Sequence, residues 1–307
     1  MDVRKYEAII RIAEEGTVSA AAEVLGYTQA GVTQMLNSAE QEMGLKVFER
    51  TNKGAKLTEE GKRLLPLFRQ IVNCQENIDQ ETAKLRGLEV GTVRIAGYSS
   101  IVINWIPRIL TVFSKEHPGI DVWVTDCNVQ GEALQRLRDG LIDIAFCKIT
   151  EDVELYGEGF IKDKYLISMA EGNPLAKKQK ISMKDLEMQN LLTETQGLLS
   201  DLDDDELPGV TEMSKRTHYS STLLGSLQNM VKNDIGVSFS SELMNRVLDG
   251  EGVISRPLDQ DLCRTLGYYV RSKNEMSYAA AEFIKCSKKV IRTMYADDPD
   301  HEVLFDA

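Results

Sequence analysis

The stretch Thr17-Val18-Ser19-Ala20-Ala21-Ala22-Glu23-Val24-Leu25-Gly26-Tyr27-Thr28-Gln29-Ala30-Gly31-Val32-Thr33-Gln34 decides the reading of this 307-residue chain. Thr17 or Ser19 can cap a first helix, whose alanines let it approach a neighbour closely. Gly26-Tyr27 turns the chain, and Thr28 caps a second helix predicted over 29–43. Val32 and Leu36 fall on the core-facing side of that helix, whereas Gln29, Thr33, Gln34 and Asn37 point outward. The pattern is a helix-turn-helix whose second helix carries exposed amides and hydroxyls. Such tips suit base edges in the major groove, and a glutamine can bond adenine through two atoms.

Upstream, Val3, Tyr6, Ile9, Ile10 and Ala13 keep helical spacing, and Gly16 ends that helix. Downstream, Gly44-Leu45 closes the second helix of the motif. Residues 47–57 read as two short strands about a glycine turn, a wing on which Arg50, Lys53 and Lys56 can neutralise phosphates. The candidate DNA-binding residues are thus Thr28, Gln29, Thr33, Gln34, Asn37, Arg50, Lys53 and Lys56, in a domain over 1–57. Thr58 caps a long helix with Glu59 and Glu60 in its first turn, where the helix dipole favours carboxylates. Leu64, Ile71, Ile78 and Leu85, with Leu67, Cys74, Glu81 and Leu88, repeat every seven residues. Glu81 interrupts this seam, and Pro66 should bend the helix near its start. Residues 58–90 are therefore expected to be a dimerising linker.

From Thr92 strands and helices alternate. Strands are expected at 93–96, 120–124 and 142–146, and helices over 100–116 and 131–139. A βαβαβ order of this kind predicts a parallel sheet with helices on its faces. A second unit, with a helix over 221–232 and a strand over 235–239, precedes a returning strand at 266–270 and a last helix over 277–294. The expectation for 91–307 is a hinged pair of lobes, lobe I about 91–162 and 269–307, lobe II about 163–268. Ligands of open α/β sheets sit beyond the carboxyl ends of the strands. That rule selects Tyr98, Ser99 and Ser100 at a helix N-terminus, then Asn128, Cys147 and Lys148, with Thr195 and His218 from the second lobe. Lys148 is the cationic candidate for an anionic effector, a carboxylate or an aromatic acid.

The chain resembles the LysR-type transcriptional regulators. The matching residues are the block 19–34, Ala39-Glu40, Gly44-Leu45, Phe48-Glu49-Arg50-Thr51 and Leu57-Thr58-Glu59-Glu60-Gly61. Weaker matches follow at Val93-Arg94-Ile95-Ala96, Phe113-Ser114-Lys115-Glu116-His117-Pro118, Asp143-Ile144-Ala145, Asn173-Pro174-Leu175-Ala176 and Gly236-Val237. The resemblance implies an α/β protein with an N-terminal winged helix-turn-helix, a long linker helix and a two-lobed effector domain of periplasmic-binding-protein type. It implies a homodimer, assembled into a homotetramer, on interrupted inverted repeats of promoter DNA, with RNA polymerase a candidate partner there. Two departures stand out. Gly31 lies inside the recognition helix, where glycine costs about 1 kcal/mol relative to alanine; close approach to DNA and simple drift are both open. Asn37-Ser38 stands where the family often has Lys or Arg, which lowers the expected number of phosphate contacts.

Composition bears on the rival readings. The net charge is −12, but residues 1–90 hold 12 Lys+Arg against 14 Asp+Glu, so the deficit sits in the remainder, with 24 against 34. A nearly balanced head can still present a basic face. Cys74, Cys127, Cys147, Cys263 and Cys286 are scattered, with no CxxC pair, so neither a zinc site nor a disulfide framework is indicated. Peroxide-sensing members of the family use reactive cysteines, but no matching local motif surrounds these. With three histidines, no phosphate loop and no GxSxG around Ser99, no catalytic constellation assembles, and neither enzyme activity nor a cofactor is expected. No apolar run approaches the ~20 residues of a membrane span, and the N-terminus enters an amphipathic helix directly. The expectation is a cytoplasmic protein rather than an exported solute-binding one.

Overall fold

The computed structural model describes residues 1–307 other than 52, 53, 153, 195–201, 203, 204, 216–218, 222, 223, 249–251, 297, 299–302, 306 and 307. Lys53, Thr195 and His218 lie outside the described residues, as do Asp201, Asp203 and Asp204, and Arg50 is placed by its backbone alone.

The head comprises α1 (Val3–Glu15), α2 (Val18–Leu25), α3 (Gln29–Met43) and a hairpin of β1 (Phe48–Thr51) and β2 (Gly54–Leu57). Thr17, rather than Ser19, caps α2, its hydroxyl accepting from the Ala20 N–H at 3.1 Å. The turn into α3 needs a left-handed residue, and Gly26 supplies it at φ 68°. Ile9, Ile12, Ala21, Val32, Ala39 and Val47 form the sealed core of the head.

Thr58 starts α4 (Glu59–Leu85), accepting from the Gly61 N–H at 2.9 Å. Its first turns belong to the head, since Leu65 and Phe68 are buried in the same core. Beyond them α4 carries two seams. The apolar one, Leu67, Ile71, Ile78 and Leu85, is exposed. The polar one lies against the chain's own α/β part. Asn73 donates to the Gly140 carbonyl at 3.0 Å, Glu76 receives both Arg94 amino groups at 3.0 and 3.1 Å, and Gln80 accepts from the Ala279 N–H at 3.3 Å.

Beyond the linker, β3 (Gly91–Gly97), β4 (Ile120–Asp126) and β5 (Ile144–Lys148) form the expected parallel sheet in the order β4-β3-β5. The single helix expected over 100–116 is two, α5 (Ser99–Asn104) and α6 (Ile106–Glu116). Pro107 has no N–H to continue the ladder, and Trp105 turns fully into the core, where its indole N–H donates to Tyr295 Oη at 3.2 Å. After α7 (Gln130–Arg138) comes β6 (Tyr156–Ala170), a fifteen-residue strand that serves both lobes. Its first half pairs with β11 (Cys263–Val270), which also pairs with β5; its second half lies between β9 (Val237–Ser241) and β10 (Val253–Pro257). β7 (Leu191–Glu194) and β8 (Tyr219–Ser221) extend the sheet beyond β9. The second lobe also holds α8 (Met183–Leu186) and α9 (Val210–Ser214), and where a helix is expected from 221, residues 219–221 pair with β7 as a strand and α10 is Leu224–Lys232. The helix α11 (Glu242–Leu248) follows β9, and α12 (Tyr278–Met294) returns to the first lobe, where Phe283 and Ile291 join its core. A separate core, including Ile167, Ile181, Leu207 and Val237, fills the second.

Candidate functional site

The exposed side of α3 is built by its cap and its period. The Thr28 hydroxyl accepts from the Gly31 N–H at 3.1 Å, and a Cβ at Gly31 would come within 3.2 Å of that oxygen. The glycine is thus explained locally: a side chain there crowds the cap. Val32 and Leu36 anchor the inner face, and Gln29, Gln34 and Asn37 are exposed. Together with Ala30, Thr33, Ser38 and Gln41 they line one open concave surface. Thr33 returns its hydroxyl to the Gln29 carbonyl at 2.8 Å, leaving its methyl for contact. Among the described residues no side-chain hydrogen bond holds Gln29, Gln34 or Asn37. Lys5 donates to Ser38 Oγ at 2.9 Å and pairs with Glu42, bringing a cation to the part of α3 that lacks its own.

The wing is tied to this helix by Glu40, which is buried although charged. Its Oε1 accepts from the N–H groups of Val47 at 2.8 Å and Phe48 at 3.2 Å, and Lys46 Nζ lies 2.5 Å from Oε2. Burial works to raise its pKa, but Lys46 and the two N–H groups outweigh it and hold the carboxyl below its ordinary 4.5. In the hairpin Arg50 sits opposite Ala55, and Lys56, opposite Glu49, is exposed.

At the carboxyl ends of β3, β4 and β5 the sequence candidates divide into three groups. Ser99 and Asn128 meet: the Ser99 N–H donates to Asn128 Oδ1 at 2.9 Å, and Asn128 Nδ2 donates to Ser99 Oγ at 2.8 Å. Ser99 Oγ donates in turn to Asp126, 2.8 Å from each carboxylate oxygen. The Ser99 N–H is therefore already taken. Lys148, nearly buried, reaches across to the second lobe and pairs with Glu206 at 2.6 Å, while Gln130 donates to the Lys148 carbonyl at 3.0 Å.

Tyr98 and Ser100 form the third group and turn inward toward Arg264. This guanidinium, 3% exposed, donates to Asp163 Oδ2 from Nε at 3.0 Å and to Ser100 Oγ and Ser241 Oγ at 3.3 and 3.2 Å. It also lies over the rings of Tyr98 and Tyr165, 5.4 and 5.7 Å from their centroids. Asp163 is sealed, and its other oxygen accepts from the Leu243 N–H at 2.8 Å. The pair thus locks β6, β11, α5 and α11 where the lobes join. Cys147 is fully buried in β5, and burial pushes the Cys127 thiol up, away from the lowered values of reactive cysteines.

Residues 3–62 match the bacterial regulatory helix-turn-helix model of the lysR family, and residues 86–292 match the LysR substrate binding domain. The chain belongs to the LysR family. This LysR-type regulator is 27% identical to the uncharacterized HTH-type transcriptional regulator YvbU of Bacillus subtilis over 294 residues, 94% of this chain and 99% of the relative. Its fold matches a full-length OxyR variant from Pseudomonas aeruginosa with a TM-score of 0.70 at 18% identity, covering 95% and 98% of the two chains. It also matches full-length CbnR complexed with its target DNA, with a TM-score of 0.64 at 17% identity and 94% and 100% coverage. It is a DNA-binding transcriptional regulator with an effector domain, and regulation controlled by an effector is typical of its family. No helix among its described residues is long and apolar enough to cross a membrane.

Sequence reasoning missed Arg264, Asp163 and Glu206 in this regulator. Asp163 stands between Lys162 and Lys164 and reads as solvated surface, and Arg264 follows the polar run 259–261. Only pairing over 101 residues identifies them as a buried unit.

Proposed function

We propose that α3 enters the major groove of promoter DNA, with Thr28, Gln29, Thr33, Gln34 and Asn37 reading bases and Arg50, Lys53 and Lys56 on the wing holding phosphates. The observation that carries this reading is the exposed concave face of α3, whose amides are not committed to the chain's own structure. Uncommitted amides cost little in water and can pair with base edges on docking. Two heads are needed for an inverted repeat. The exposed apolar seam of α4, with Leu85 82% exposed, supports pairing through that helix into a homodimer. The outer edge of β4, which no strand among the described residues covers, carries Trp123 at 67% exposure and supports further assembly into a homotetramer.

The effector, a small carboxylate or aromatic acid, binds between the lobes near Ser99, Asn128 and Lys148. By favouring one arrangement of the lobes it changes head spacing through the polar seam of α4. The protein acts by binding, without a catalytic step.

A mobility-shift titration with an operator duplex and a scrambled one tests the DNA assignment. Gln34→Ala should narrow the preference for operator by about 1–3 kcal/mol, whereas Lys53→Ala should weaken both duplexes alike. If neither variant changes binding, the contact residues are wrongly assigned.

A further inference from the structure

Resting on the reading of the interlobe cleft as the effector site, we propose that the effector is a zwitterion of the α-amino acid class, its ammonium group held by Asp126 and its carboxylate by Lys148.

The corner at the end of β4 is built to receive donors. Asn128 occupies the Ser99 N–H, and the Ser99 hydroxyl is turned to Asp126, so neither group is left for an anion. Asp126 is exposed and accepts only that neutral hydroxyl; among the described residues no cation lies within salt-bridge distance of it. A carboxylate placed here meets like charge, whereas an ammonium group supplies three donors to an acceptor with remaining lone pairs.

The corner at the end of β5 is the reverse. Lys148 holds a carboxylate in the structure, that of Glu206, at 2.6 Å. A ligand carboxylate replaces that group like for like, and in doing so releases the tie between the lobes.

The register brings the two corners to the same end of the sheet. Gly97 of β3 pairs with Asp126 on one side and with Phe146 of β5 on the other. Two strand spacings of ~4.8 Å put the two flanking strands about 10 Å apart. Lys148 lies two residues beyond Phe146, on the same face of the strand. An α-amino acid carries one charge of each sign on a single small molecule, matching one corner with its ammonium group and the other with its carboxylate. A simple carboxylate satisfies Lys148 and leaves Asp126 facing an uncharged group; a dicarboxylate sets a second negative charge against it.

Isothermal titration of the full-length protein with the twenty L-amino acids, each compared with its des-amino acid and its decarboxylated amine, tests the assignment. At least one amino acid should bind saturably and at least 100-fold more tightly than either analogue. Asp126→Asn keeps an acceptor for Ser99 Oγ and removes the charge. It should weaken that amino acid about 10- to 100-fold and leave the des-amino acid unchanged. Lys148→Met should weaken amino acid and des-amino acid together, with thermal unfolding confirming that both variants fold. A des-amino acid bound as tightly as its parent, and lost on Lys148→Met, overturns the zwitterion and leaves the cleft as effector site. Amino acid binding indifferent to both substitutions overturns the cleft reading as well. If none of the twenty binds saturably at millimolar concentration, the proposal is wrong.

Discussion

The outer face of α3 and the interlobe cleft are both polar, but they hold their polar groups in opposite states. On α3, Gln29, Gln34 and Asn37 are exposed and unbonded among the described residues. In the cleft, Ser99, Asn128, Lys148, Asp163 and Arg264 are all engaged, and the last two are buried. The difference follows from what each surface meets. A duplex groove brings its own fixed pattern, so side chains that read it can wait in water at little cost. A cleft between two lobes must hold its shape without ligand. A buried guanidinium is tolerated only when paired and hydrogen-bonded. Substitutions on α3 should therefore change binding and spare stability, and those at the lobe junction should do the reverse.

The largest expected effect lies at the junction. Asp163→Ala leaves Arg264 buried without its carboxylate and the Leu243 N–H without an acceptor. It should cost about 3–5 kcal/mol in denaturant unfolding of the α/β part; a loss under about 1 kcal/mol would erase the contrast. Next comes Gln34→Ala, already expected to narrow operator preference, which should leave the thermal unfolding midpoint unchanged. A large drop in that midpoint would mean that the face of α3 is structural after all.

A smaller effect separates the two regions by pH. The Glu40 carboxyl is held below its ordinary value of 4.5, so it stabilises the head above that pH and the contribution is lost as pH falls through the lower folded value. Glu40→Gln should lower head stability near neutrality and flatten its acid dependence below about pH 4.5. Acid unfolding that is identical in the two proteins would assign the acid sensitivity elsewhere. The smallest effect concerns the cap. Thr28→Ala should destabilise the head by about 1 kcal/mol, and operator affinity should fall by more than the loss of ordered α3 explains, because Thr28 also faces the duplex. A loss of affinity no larger than that of helix order would confine Thr28 to capping.

The head was legible because its determinants are local. Caps at Thr17, Thr28 and Thr58, left-handed stops at Gly16, Gly26 and Gly44, and a helical apolar period act within a few residues of where they are read. The parallel β3-β4-β5 unit was legible for the same reason, its strands being short apolar runs between turns. The break at Trp105 carried a readable signal in Pro107, but the burial of Trp105 depends on Tyr295, 190 residues away. The three-residue strand β8 has no local signature and exists only because β7 offers it an edge.

By itself the chain determined the winged head, the seam on α4 and the parallel β3-β4-β5 unit. These depend on period, capping and turn chemistry, which operate over one or two helical turns. Tertiary structure alone decided the chemistry of the cleft. It set Arg264 on Asp163, Lys148 on Glu206 and Ser99 on Asp126, over 101, 58 and 27 residues respectively. Polar pairing at such separations follows from which strands become neighbours, and no local pattern in the chain encodes that adjacency.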